Sequence, residues 1–109
     1  PDSAKAIARH ELLCSLDDVI REASRCLKSK GKMYMVHRPN RLVDIFDTMR
    51  KYHLEPKRMR LVYPYVNKAA NMVLIEAVKG GNSQLIVEEP LIVYKTDGTY
   101  TDALLKMYE

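Results

Sequence analysis

Five residues, His37, Arg38, Pro39, Asn40 and Arg41, follow directly on the apolar run "KMYMV". Two guanidinium groups, an imidazole and a carboxamide in so short a stretch can clamp phosphate, offer a flat ring to a base and read a base edge. A second such set is "YPYVNKAAN", residues 63–71, with Tyr63, Tyr65, Asn67, Lys68 and Asn71. A third is "AIARHE", with Arg9 and His10. Arg and Lys neutralise phosphates, and Tyr and His present faces on which unstacked bases of RNA or DNA can lie. Each residue alone has a structural explanation too: Arg38 or Lys68 on a loop carbonyl or in solvent, His37 satisfied at a strand end, Tyr63 in the core. Three loops carrying the same residue types are what point to a ligand.

Signatures of self-contained catalysis are missing. The glycines are Gly31, Gly80, Gly81 and Gly98, so neither a GxGxxG nor a phosphate loop can be built. His10, His37, His53, Cys14 and Cys26 lack zinc-ligand spacing, and no serine sits in a nucleophile elbow. No catalytic, cofactor-binding or metal-ligating residue is expected in this chain.

The elements that must position the three loops follow from hydrophobic periodicity. Residues 11–28 place apolar side chains at 12, 13, 16, 19, 20, 23, 26 and 27, one face of a helix. Gly31 breaks it, and the continuous apolar run at 32–37 predicts a strand buried on both faces, with Met33, Met35 and Val36 in the sheet interior. A helix over 40–53 follows, with Leu42, Val43, Ile45, Phe46 and Met49 inward, ending at Pro56. Strands over 58–64 and 70–79 are close enough to pair as an antiparallel hairpin. Residues 85–94 form an extended arm that Pro90 assigns to an edge, and a turn leads into a helix over 101–108 capped by Thr101. A strand, helix, strand unit of this length predicts parallel pairing through a right-handed crossover. In an open parallel sheet ligands lie beyond the carboxyl ends of the strands, which gathers the three loops on one edge.

The sequence is 47% hydrophobic and 29% charged, which excludes a disordered or collagen-like chain. Its 109 residues make one domain or part of one. The net charge of +4 conceals a basic middle: residues 28–68 carry eleven Lys and Arg against Asp44, Asp47 and Glu55, a balance of +8 beside −4 elsewhere. That asymmetry suits an anionic partner such as nucleic acid, although solvated helix faces would produce it as well. No apolar run is long enough to span a bilayer and no signal peptide is evident, so a cytoplasmic setting is expected. On one helix Cys14 and Cys26 would stand ~18 Å apart, beyond disulfide reach, and are expected to be reduced and buried. The first helix has more apolar surface than so few strands can cover, as if the chain were the second half of a doubly wound sheet.

The succession "IARHE", a long helix, "GKMYMVHRPNRLVDI", "LEPKRMRLVYP", "NKAANMVLIEAVKGG" and "PLIVYKTDGTYTDALLKMY" resembles the carboxyl-terminal half of the bacterial small-methyltransferase-domain enzymes, in particular the group similar to tRNA(Val) adenine N6-methyltransferase. The resemblance covers essentially the whole chain. It implies an α/β, Rossmann-like class I methyltransferase that uses S-adenosylmethionine, with a seven-stranded sheet whose last hairpin inserts one antiparallel strand. The strands here would be the fifth to seventh. It also implies that a Gly-rich loop, an acidic residue and an Asn-Pro-Pro-Tyr motif hold the methyl donor and the target amine; none of them is in this sequence. The donor would then be bound mainly by the missing amino-terminal half of the same protein, and these 109 residues would be inactive alone.

The resulting expectation is part of a methyltransferase acting on an exocyclic amine, with adenine N6 of tRNA first. Arg9, His10, His37, Arg38, Arg41, Tyr65, Asn67, Lys68 and Asn71 would form its substrate-side rim. Alternatives are a methyltransferase of ribosomal RNA guanine N2 or of a protein glutamine, a non-catalytic nucleic-acid-binding module, and a dimerisation piece, with the arm at 85–94 as the contact between copies.

Overall fold

The computed structural model describes residues 15–108. Arg9, His10 and Cys14 lie outside them. Within this range the chain is an α/β unit: helix α1 (Leu16–Cys26), strand β1 (Lys32–His37), a 3-10 turn (Pro39–Arg41), helix α2 (Leu42–Lys51), strands β2 (Leu54–Tyr63), β3 (Met72–Lys79), β4 (Ile86–Val87) and β5 (Leu91–Ile92), and helix α3 (Asp102–Lys106).

Helix α1 starts where Ser15 makes it start. The Ser15 hydroxyl accepts from the Asp18 N–H and the Asp18 carboxylate accepts from the Ser15 N–H, both at 3.1 Å, a reciprocal capping box. Ser15 itself is extended, so the helix expected over 11–28 begins at Leu16. Hydrophobic periodicity ran through a residue whose short polar side chain prefers to bond the backbone. Cys14 lies outside the described residues, and Cys26 is exposed rather than packed in the core. At the other end, Lys79 Nζ donates to the carbonyls of Ser24 and Leu27, placing a cation on the negative end of the helix.

Gly31 is required by close approach. A Cβ there would lie 2.9 Å from the Lys28 carbonyl oxygen, while the positive φ of this turn falls on Lys30 at 68°. The strand ladder then opens, with Lys30 N–H to Lys79 O at 2.8 Å and Lys79 N–H to Gly31 O at 2.9 Å.

The sheet order is β1-β3-β2-β4, with β5 also on β2. Strands β2 and β3 form the expected antiparallel hairpin, Met59 opposite Ile75 and Val62 opposite Met72. Strand β3 also pairs antiparallel with β1, from Lys32 opposite Val78 to His37 opposite Val73. Strands β1 and β2 therefore run the same way, as the strand, helix, strand unit predicts, and β3 stands between them as the inserted antiparallel strand that the resemblance implies. The arm lies parallel along β2 within its own chain, Arg58 opposite Ile86 and Val62 opposite Leu91, and Pro90 falls in the gap between the two short ladders.

Strand β2 begins at Leu54, earlier than the expected 58, and Pro56 lies inside it instead of ending a helix. The register shifts between Pro56 and Arg58, a bulge that absorbs the missing proline N–H. Helix α2 stops because His53 turns to φ 64°, and the Gly80 N–H closes on its carbonyl at 2.9 Å.

One face of the sheet carries the core. Ile20 of α1, Ile45 and Met49 of α2, and Leu54, Met59, Val73, Ile75 and Ala77 of the strands form one buried cluster. Leu42 and Phe46 pack against it, but Val43, expected inward, is 80% exposed. Among the described residues of α1 and its C-cap, Ile20 is buried in this cluster and Leu16 and Leu27 pack half-buried against it, so its apolar stripe is not the uncovered surface there. The uncovered surface is the opposite face. Tyr34 and Val36 of β1 are 69% and 61% exposed, so this strand is one-sided among the described residues, not buried on both faces. Met33 and Met35 alternate with them at half burial. A trough of about 420 Å³ runs over this face past Tyr34, Arg58, Leu74 and Met107. No helix of the described residues is long and apolar enough to cross a membrane.

Candidate functional site

The carboxyl end of β1 opens into a cleft of about 800 Å³, lined by Val36, His37, Arg38, Pro39 and Asn40 on one side and by Ala70, Asn71 and Met72 on the other. Its position follows from the topology. Because β3 is antiparallel to both neighbours, its start at Met72 lies beside the ends of β1 and β2, and the two loops come together there. The residues turn away from β1 for local reasons. Arg38 is still extended at φ −80°, ψ 142°, as a residue before proline should be, and Pro39 occupies the first position of the 3-10 turn, where no N–H is needed. The Arg41 N–H returns to the Arg38 carbonyl at 3.1 Å and fixes the bend.

His37 Nδ1 accepts the Arg38 backbone N–H at 2.8 Å. That contact occupies Nδ1 and orients the ring at the end of β1. Arg38 is exposed at the mouth of the cleft and has no ion-pair partner among the described residues. Arg41 differs: its Nε donates to Asp44 Oδ2 at 3.3 Å, so part of its charge is matched locally. On the facing loop the Asn71 N–H donates to the Val62 carbonyl at 3.0 Å, anchoring the backbone while the side chain lines the cleft. Asn40 and Asn71 thus put a carboxamide on each side, and each carboxamide can donate and accept at once.

Of the residues singled out in the sequence, His37, Arg38 and Asn71 meet in this cleft. Arg41 stands behind it on Asp44. Asn67 and Lys68 are exposed on the turn closed by the Lys68 N–H to the Tyr65 carbonyl at 3.1 Å, and they do not line the cleft. Tyr63 is half-buried at the end of β2. Tyr65 packs on Tyr94 with ring centroids 5.4 Å apart. Arg9 and His10 lie outside the described residues.

Asn40, whose carboxamide belongs to the "HRPNR" cluster although it is not among the nine rim residues expected from the sequence, also lines the cleft. Tyr94, which stacks on Tyr65, and Tyr100, next to it, were missed altogether. Their signal was the Asp97-Gly98 turn, which pairs the residues on either side of it across a short hairpin.

A methyl donor does not fit the residues present. The lining of the cleft contains no carboxylate to receive ribose hydroxyls and no glycine where a backbone could approach a ligand closely. What the cleft offers is one unmatched cation, two carboxamides and an imidazole. That set suits an anionic, hydrogen-bonding substrate and contributes positioning.

No family model matches the chain, and no curated protein matches it. Among solved structures it is similar to a predicted O-methyltransferase, protein Atu636 from Agrobacterium tumefaciens, with a TM-score of 0.77 and 25% sequence identity. The match covers 84% of this chain and 44% of that one, so the chain spans less than half the length of its structural relative. The fold is that of part of a methyltransferase, an α/β sheet with helices packed on it.

Proposed function

We propose that this chain is the carboxyl-terminal portion of an S-adenosylmethionine-dependent methyltransferase acting on an exocyclic amine of RNA, adenine N6 of tRNA first, and that the cleft at the end of β1 is its substrate-side rim. The observation that carries the reading is the meeting of Arg38, His37 and Asn71 in one cleft at the carboxyl edge of a sheet with a methyltransferase fold. Arg38 takes a phosphate, and the carboxamides and the His37 ring hold the nucleotide beside it. The donor, whose sulfonium makes the methyl group transferable, is held by chain other than these residues. Alone, these 109 residues transfer nothing.

A second reading, with oxygen as the acceptor, is supported by the likeness to a predicted O-methyltransferase. One experiment separates the two. The full-length protein is supplied with donor carrying a labelled methyl group, together with bulk tRNA and a panel of hydroxylated aromatic compounds, and the products are digested and resolved. Label in N6-methyladenosine is the expected result. Label found only on oxygen, in small molecules or in protein, overturns the RNA-amine assignment.

A further inference from the structure

Three tyrosines form a continuous stack a short distance from the cleft. Tyr94 lies between Tyr65 and Tyr100, with centroids 5.4 Å from each and interplanar angles of 31° and 20°. Tyr65 follows β2, and the Tyr94 N–H donates to the Pro64 carbonyl at 2.9 Å, so the stack stands on the sheet edge that also bears the cleft. From β1 the strands β3, β2 and β5 follow in order, and three strand spacings put Tyr94, just after β5, on the order of 15 Å from the cleft.

The outer rings are held in place before any ligand arrives. Tyr94 and Tyr100 are bridged across a tight hairpin, in which the Lys95 N–H donates to the Thr99 carbonyl at 2.7 Å and Gly98 adopts φ 87°. The Asp97 carboxylate accepts from the Thr99 N–H and hydroxyl at 3.0 and 2.6 Å, so it is engaged within the turn. Thr101 ties the hairpin back, its N–H to the Val93 carbonyl at 3.0 Å and its hydroxyl to that of Ile92. A core reason for so much restraint is missing, because Tyr100 is 51% exposed at the end of the stack.

The geometry points to a stacking site for an unpaired nucleobase of an RNA strand, on the outer face of Tyr100, with the strand continuing toward Arg38. It rests on the RNA reading of the cleft and extends it to a second, separate contact. An aromatic ring with an open face accepts any base, and a rigid ring loses little freedom when it does so. Lys68 and Lys95, both exposed and each beside a tyrosine of the stack, supply charge for the intervening phosphates. A peptide partner would gain less from this surface, which offers flat rings and cations.

The test uses the full-length protein, a fluorescein-labelled single-stranded oligoadenylate, and an abasic sugar-phosphate strand of the same length. Tyr100→Leu keeps bulk without a π face and Tyr100→Phe keeps the ring. Tyr100→Phe should bind oligoadenylate as the wild type does. Tyr100→Leu should bind it about 5- to 100-fold more weakly. The abasic strand should be bound equally by all three. In methyl transfer to tRNA the Leu variant should raise KM for RNA and leave kcat and KM for the donor unchanged. Equal weakening on both strands would mean the ring only shapes the protein and overturns the proposal, as would a Leu variant that binds oligoadenylate normally while the wild type methylates RNA. A wild type that neither binds nor methylates RNA removes the reading of the cleft as well.

Discussion

The Tyr52 hydroxyl donates to Asp17 Oδ1 over 2.5 Å, while Lys51 Nζ reaches Oδ2 of the same carboxylate at 2.9 Å. These contacts join the first turn of α1 to the end of α2, and with the Ser24 hydroxyl on the Tyr52 carbonyl at 2.6 Å they lock the two helices over the core. The Tyr52 hydrogen bond first, and Lys51 next, hold the Asp17 carboxyl below its ordinary value of 3.8.

A carboxylate whose folded pKa is depressed stabilises the fold at pH above the unfolded value, and that contribution disappears as pH falls through the folded value. Asp18, bonded to Ser15, and Asp97, bonded to Thr99, are shifted the same way. Stability should therefore be flat near neutrality and decline below about pH 4. In Asp17→Asn the decline should be shallower, measured as the denaturation midpoint by circular dichroism between neutral and acid pH. An unchanged acid limb would show that the contact contributes nothing in solution.

Ile45 and Val43 are two positions apart on α2 and should respond in opposite ways. Ile45 is fully buried, and its replacement by Ala should cost about 2–5 kcal/mol. Val43 faces solvent, and Val43→Ala should stay within about 0.5 kcal/mol. Urea unfolding of both variants gives the comparison; similar losses would place Val43 against a part of the protein beyond the described residues.

Gly31→Ala should destabilise by more than about 1 kcal/mol, because the added Cβ meets a backbone oxygen that cannot move aside. Gly98→Ala tests a different cause, since nothing lies within 4 Å of its Cβ position and only the positive φ opposes it. Thermal melts of the two should show the larger shift for Gly31.

Arg38 and Arg41 separate charge from position. Arg38→Ala should weaken RNA binding more than donor binding and reduce the slope of log affinity against log salt by about one. Arg41→Ala should do less, because Asp44 already holds that guanidinium. Filter binding across a salt series measures both, and equal loss of RNA and donor affinity in Arg38→Ala would refute the placement of Arg38 on the substrate side.

Much of the architecture was legible because it is set locally. The hairpin joins two strands consecutive in the chain, and the turn at Pro39 and the Thr101 cap, whose hydroxyl accepts the Leu104 N–H at 3.2 Å, depend on neighbours within a few residues. What periodicity hides is what depends on the environment. The alternation of β1 is masked because Tyr34 and Val36 are as apolar as Met33 and Met35, so nothing in their types says that one face lacks a cover. Pro56 reads as a stop, yet a bulge makes it tolerable inside a strand. In the site, "HRPN" and Asn71 could be paired by the rule that ligands gather at strand ends. Tyr94 and Tyr100 could not be joined to Tyr65 that way, because their meeting depends on the arm lying along β2.

The insertion of β3 between β1 and β2 has a consequence for synthesis. Translation delivers β1 and β2 before β3, and neither can use the other as a partner; the facing edges of both wait for residues 72–79, which complete two ladders at once. Until those eight residues leave the ribosome, the nascent chain carries unpaired strand edges flanked by the side chains that later form the core. The two ladders of β3 then close together, and β4 and β5 are added to β2 afterwards. The interval before that closure, a property of the growing chain and not of the finished protein, is when aggregation competes most strongly with folding.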